Sequence, residues 1–371
     1  MKIAIAGAGI GGLAAACYLA RDGHDVTLFD QFDAPRPVGS GLVIQPVGLD
    51  VLEEIGAGAA ALAAGARITR MQGHEAKSGR PVLFVSYDRG GDGAFGLSIH
   101  RAALFDALLQ AARAAGIEIV TGARVTGASG GWITLASGAR EGPFDLVVDA
   151  SGANSALSPL KSRALPFGAI WGTIDWPDQA TIPTDELRQK YRRARHMIGA
   201  MPVGRMPGCD RPKGAIFWSM PHDAHADWRA AGLEVWKAEA TTLWPEFAPF
   251  LEGITDPDQM TMARYSHGTL RRPYGDRIAF IGDAAHRASP QLGQGANMAL
   301  LDARALAVAL RLAPVETAFR STPRHGAGMC GFINGPAPVS RRSTSPTAVS
   351  CRSYAITCSI LCHASRRCRA S

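Results

Sequence analysis

The sequence predicts an α/β fold in which a Rossmann-type dinucleotide-binding domain is interrupted by a mixed-sheet α+β domain. Three observations predict it. The first thirty residues read as strand, glycine-rich turn, helix and strand. A buried strand near residue 278 enters a second glycine-rich segment and a small-residue helix. Between about 160 and 270 the texture changes to segments rich in Trp, Pro and Met. At 371 residues the chain also exceeds the roughly 250–300 residues at which single cores usually divide, so two domains are expected.

Lys2–Ala6 is a short apolar run ending at Gly7, Ile10–Arg21 has helical periodicity, and Asp25–Asp30 is a second apolar run. Parallel strands joined in this way require a crossover and a sheet covered on both faces. Helical patterns recur at Pro46–Ile55 and Ala102–Ala115, followed by strand-like Ile117–Val120 and Asp145–Ala150. In the central region, residues 215–220 read as a strand, and 184–195 and 227–243 as helices. Residues 277–281 then form a buried strand before Gly282, and Gly293–Leu312 a packed helix.

The formal net charge is +7, but its location removes the inference it would otherwise carry. Residues 317–371 hold eight arginines and no acid, so the rest of the chain stands at −1 and nucleic-acid binding is not expected. Hydrophobic residues at 47% and charged residues at 19% are those of an ordinary globular protein. Only Cys17 and Cys209 lie outside the tail, and no run of about 18 apolar residues occurs. A cytoplasmic protein without a transmembrane segment is expected. From about Val315 onward Ser, Arg, Cys and Pro dominate without periodicity, so 314–371 is expected to be a disordered tail. Its texture resembles an out-of-frame translation. The spacing of Cys358, Cys362, His363 and Cys368 matches no standard zinc pattern, so no metal site is expected.

Gly7, Gly9 and Gly12 form G-x-G-x-x-G between a strand and a helix, where the mechanism requires it. Gly7 permits the tight turn, Gly9 lets backbone approach a pyrophosphate, and Gly12 allows close helix packing, while the helix N-terminus supplies free N–H groups. Asp30, 18 residues beyond Gly12, is placed to accept from an adenosine ribose. This constellation fits NAD and FAD alike.

The run from Gly282 to Ala303, GDAAHRASPQLGQGANMALLDA, separates the two. With the first motif it resembles the para-hydroxybenzoate hydroxylase-type FAD-dependent monooxygenases, over residues 1 to about 312. The resemblance implies that Gly282 and Asp283 hold the ribityl chain of FAD, and that Pro290, Gly293, Gly295, Ala296 and Asn297 sit beside the flavin ring at a helix start. It further implies that Arg101, Arg36 and Gly41 reach or border the cofactor. The implied architecture is a discontinuous FAD-binding domain (1–70, 98–158 and 273–313) with a substrate domain (71–97 and 159–272). The implied reaction uses NADH or NADPH and O2 to hydroxylate an aromatic or other electron-rich small molecule.

The chain departs from the family pattern in two places. At Asp149–Ser155, DASGANS, Ser151 stands where the family usually has an aspartate before glycine. The tail replaces a helical segment. Two other readings therefore stay open: a flavin dehydrogenase or reductase of the same fold, and an inactive FAD-binding product of a shifted reading frame. Lone histidines are more often structural than catalytic, and His286, beside the Gly-Asp turn, is expected to act in positioning.

Overall fold

The computed structural model describes residues 1–33, 40–89, 91–193, 196–288 and 293–312. The chain opens with β1 (Lys2–Ala6), α1 (Ile10–Arg21) and β2 (Asp25–Phe29), then β3 (Gly41–Ile44), α2 (Pro46–Glu54), α3 (Gly58–Ala64) and β4 (Ala66–Ile68). A hairpin of β5 (Arg70–Glu75) and β6 (Pro81–Ser86) leads to β7 (Gly96–His100), α4 (Arg101–Ala114) and β8 (Glu118–Val120). The antiparallel trio β9 (Val125–Ser129), β10 (Trp132–Leu135) and β11 (Arg140–Glu141) precedes β12 (Leu146–Asp149).

The central region contributes β13 (Arg163–Ala164), β14 (Phe167–Asp175), β15 (Glu186–Arg192), β16 (His196–Pro202) and β17 (Lys213–Pro221). Helices α5 (His225–Ala231), α6 (Leu233–Leu243) and α7 (Ala248–Glu252) follow, then β18 (Thr261–Ala263) and β19 (Ser266–Thr269). The chain returns through β20 (Tyr274–Gly275), β21 (Ile278–Phe280), β22 (His286–Arg287) and α8 (Gln294–Leu312).

The first sheet has the order β20-β21-β12-β1-β2-β8, parallel except for the β20 edge. Alternation decides what covers it. Ile3 and Ile5 point to a core shared with α1, α4 and α8, while Ala4 and Ala6 point to a second core with Phe29, Ile133 and Phe144 under the β9–β11 trio. Strand order reverses at β1, because β2 lies on one side and β12 on the other. At such a reversal the loops leaving the strands diverge and open a crevice at their C-terminal ends. Buried Tyr18 donates to Glu54 Oε2 at 2.5 Å, and Arg304 pairs with Glu54 at 2.7 Å, which ties α1, α2 and α8 together.

The second sheet is mixed, with the order β18-β14-β17-β16-β15-β5-β6 and β15 parallel to β5. One face carries Ile170, Ile198, Ile216 and Trp218 against Trp236, Phe247 and Phe250 of the helical layer. The other carries Met71, Leu187, Met201 and Ala215 against Val43 of β3. Two helical expectations change here. Residues 184–195 were expected to be helical, yet Glu186–Arg192 is a strand, because Leu187 and Gln189 alternate inward while β16 and β5 complete the ladders on both sides. The helix expected over 227–243 is broken at Gly232, whose φ of +84° no helical residue adopts. Among the described residues no helix is long and apolar enough to cross a membrane. The tail expected over 314–371 lies outside the described residues.

Candidate cofactor and substrate site

The crevice between β1 and β12 receives the first glycine motif. Gly7 has φ +101°, and a side chain there would meet Ala150 O and Ser151 Cα at 2.7 Å, so the turn is pressed against the end of β12. A Cβ on Gly12 would lie 1.9 Å from Gly7 O, which fixes the close approach of α1. Gly9 differs from both. A Cβ there would meet nothing within 4 Å, and Gly9 is the N-cap of α1 with no side-chain cap. The open space faces a helix start whose first N–H groups have no intrahelical acceptor, the surroundings a pyrophosphate requires. Asp30 follows β2; its carboxylate accepts from Ala8 N at 2.7 Å and Phe32 N at 3.0 Å, locking the turn to the second strand.

The second glycine segment lies beyond β21. Gly282 is buried, has φ +58°, and donates its N–H to Asp302 Oδ2 at 2.8 Å. Asp283 is exposed. Gly293, with φ +62°, packs on Val43 and begins the turn into α8, where Gly295 is open on its Cβ side and Ala296 is half-buried. Asn297 is fully buried and turned into the protein: Oδ1 accepts from Gln45 N at 2.8 Å, and Nδ2 donates to Val43 O at 2.9 Å and Gly293 O at 3.0 Å. It holds the start of α8 to the β3–α2 connection.

The remaining expected site residues separate. Gly41 is required by packing, since a Cβ there would lie 2.2 Å from Val203 Cγ1 and 2.6 Å from Met201 Cε on the second sheet. Arg101 is exposed at the start of α4 and its N–H donates to Ser40 O. Arg36 and Pro290 lie outside the described residues. Preceding Arg101, buried His100 caps α4 by accepting from Ala102 N at 3.2 Å on Nδ1; burial, then the nearby Lys213 charge, lowers its pKa. It caps the helix in its neutral form.

His286 Nε2 lies 2.5 Å from Asp302 Oδ2, the oxygen that also accepts from Gly282. Burial lowers the imidazole pKa, but the hydrogen bond and charge of Asp302, with Asp283 adding, outweigh it and raise the pKa above the ordinary histidine value. The stabilisation is therefore full below the unfolded value of about 6.5 and is lost as pH rises through the raised native value. The melting-temperature advantage of the wild type over His286→Asn is expected to shrink by roughly 1–3 °C between about pH 6 and pH 9. An advantage constant across that range would rule out the ion pair.

Two features escaped the sequence reading. Asp302, quoted only within the motif, is buried and organises the Gly-Asp turn from α8. The acid absent at position 151 has a counterpart in Asp149, fully buried, which accepts from Ser151 N at 3.0 Å and from the hydroxyls of Ser151 and Ser155 at 2.5 Å. The spacing D-x-S-x-x-x-S was the available signal. On the face of the second sheet that packs toward β3, Trp171 and Phe217 lie 4.5 Å apart and Trp171 Nε1 donates to Tyr265 at 2.8 Å.

The family described as FAD binding domain matches residues 1–134 and 173–321. The chain is 29% identical over 319 residues to a putative 2-heptyl-3-hydroxy-4(1H)-quinolone synthase of Rhodococcus erythropolis, covering 82% of this chain and 78% of that one. It is 27% identical over 339 residues to an FAD-dependent urate hydroxylase of Klebsiella pneumoniae, covering 84% and 82%. In fold it is similar to pqsL, a probable FAD-dependent monooxygenase from Pseudomonas aeruginosa, with a TM-score of 0.73 at 21% identity over 90% of each chain.

Proposed function

Because the chain belongs to the FAD-binding-domain family, we propose that it is an FAD-dependent monooxygenase that uses NADH or NADPH and O2 to hydroxylate a small aromatic molecule. One observation carries the reading. The open cradle at Gly9 and the Gly282 turn follow strands on the two sides of the same strand-order reversal, and Gly293 packs on Val43 beside a sheet face that carries aromatic side chains. The relatives' names, a quinolone synthase and a urate hydroxylase, agree with a nitrogen-containing aromatic substrate. The free thiols of Cys17 and Cys209 fit a reducing cytoplasm.

In this reading Gly9 and the start of α1 hold the pyrophosphate, Asp30 the adenosine ribose, and Asp283 the ribityl chain. The start of α8, at Gly293–Gly295, borders the ring. Residues 71–97 and 159–272 form the substrate domain, and Arg101 approaches the cofactor from α4. FAD supplies, when bound, the electron storage and oxygen activation that side chains lack. The N-terminal end of the α8 dipole places partial positive charge where a reduced ring carries negative charge. The aromatic face excludes water from the reacting atoms. His286, through Asp302, keeps the Gly282 turn in register.

Purified protein is expected to be yellow, to release FAD on denaturation, and to transfer one labelled atom from ¹⁸O2 to product. Flavin turnover without label would assign a dehydrogenase instead. Asp283→Ala removes one charge-assisted hydrogen bond of about 1.5–3 kcal/mol, so FAD affinity should fall roughly 10- to 100-fold. Dialysis against measured free FAD reads this directly; unchanged affinity removes Asp283 from the site.

A further inference from the structure

One row of residues crosses the second sheet on the face that packs toward β3: Gly73, Gln189, Gly199, Phe217 and Trp171 are directly paired neighbours. Directly paired residues share a face. Leu187, two residues before Gln189, packs with Val43, which fixes the face as the one turned to the first domain. The two glycines of the row make room for rings. A Cβ on Gly199 would lie 2.1 Å from Phe217 Cζ, and one on Gly73 would lie 2.5 Å from Tyr191 Cε2. Gln189 is thus set between two aromatic side chains and is 5% exposed.

Its amide is half used. Tyr191 OH donates to Gln189 Oε1 at 2.5 Å, and among the described residues no hydrogen bond is made by Nε2. Burial pushes the Tyr191 phenol up to about 12, so it remains an O–H donor and fixes which end of the amide it holds. The two amide protons are left without an acceptor beside the Trp171–Phe217 wall. Among the described residues, Nε2 is not one of the side-chain atoms that are both fully buried and unpaired, so it keeps access to the space beside this wall, where a ligand acceptor bonded to it would be left unsatisfied by its removal at a cost of about 1–3 kcal/mol. Tyr265 adds a second donor: its oxygen accepts from Trp171, its own proton is still available, and burial raises its pKa.

The charged residues described on this face are Asp175, Lys213 and Glu75. Lys213 is paired with Asp175, and Glu75 accepts from Ser78 and Lys77, so none offers an unpaired cation. A carboxylate buried here would lack a counter-charge.

We propose that Gln189 is the specificity-determining residue of the substrate pocket, presenting its amide protons to a ring carbonyl or ring nitrogen of an uncharged, planar heteroaromatic, and that aromatic carboxylates are rejected. The inference rests on the monooxygenase reading above. It is tested on FAD-loaded protein with two probes of equal ring size, 4-quinolone and quinoline-4-carboxylate, by the change each causes in flavin absorbance. The quinolone should bind at least about tenfold more tightly than the carboxylate. Gln189→Leu should weaken quinolone binding roughly 10- to 100-fold while FAD affinity stays unchanged, and Gln189→Glu, which keeps the shape but has only acceptors, should do the same. A quinolone affinity unaffected in both variants, preference for the carboxylate, or binding of neither probe overturns the specificity while leaving the flavoprotein standing. Failure of the wild type to retain any FAD overturns the function beneath it.

Discussion

Gly9→Val is expected to reduce FAD affinity by at least about 100-fold, roughly 2.7 kcal/mol, while the apoprotein keeps its fold. The backbone at Gly9 has φ −75° and ψ −175°, an extended conformation open to any residue, and its Cβ would meet nothing within 4 Å. No native contact is lost, so the apoprotein melting temperature should hold within about 2 °C. The isopropyl group instead fills the space in which backbone must approach a pyrophosphate. Gly12→Val is the contrasting case. Its Cβ would lie 1.9 Å from Gly7 O, a backbone atom that cannot rotate away, so α1 must separate from the turn and the first domain should fail to fold. Equilibrium dialysis and thermal melting on both variants separate the two roles. Wild-type FAD affinity in Gly9→Val removes the assignment of the cradle, and a normally folded Gly12→Val removes the packing argument.

The contrast shows what was legible in the sequence. Both glycines are fixed by a local unit in which strand, turn and helix are consecutive, so periodicity and spacing disclose their roles before any fold is known. The strand before Gly282 and the helix after Gly293 were legible from local pattern, whereas the roles expected of their glycines came from the family resemblance. Gly41 was not: its need for a bare backbone comes from Val203 and Met201, about 160 residues later. The β15 strand was hidden likewise, since its parallel partner β5 lies more than 100 residues earlier and its charged outer residues resemble a solvated helix. Gln189 became visible only when four strands set Gly73, Gly199, Phe217 and Trp171 in one row. Asp149 sits within the segment already singled out, yet its role depends on the turn that brings Ser151 and Ser155 back onto it.

Asn297 gives the second large effect. Among the described residues its amide bonds to backbone at Gln45, Val43 and Gly293, so any effect on cofactor binding is expected to act through the structure it holds. Asn297→Ala leaves the Gln45 N–H and the Val43 carbonyl without these partners, each costing about 1–3 kcal/mol, and adds a small cavity. A total near 3–5 kcal/mol corresponds to a fall of roughly 6–20 °C in apoprotein melting temperature. Asn297→Asp should be at least as severe, since the carboxylate keeps the acceptor but turns an oxygen toward two carbonyls. The neighbouring helix supplies an independent check: a Cβ on Gly48 would lie 2.5 Å from Asn297 Oδ1, so Gly48→Ala should push on the same junction from α2 and lower the melting temperature while the amide itself is retained. If Asn297 instead bound FAD directly, Asn297→Ala would weaken FAD while leaving the apoprotein melt unchanged. That outcome would show that the clamp between α8 and the β3–α2 connection does not hold the site together.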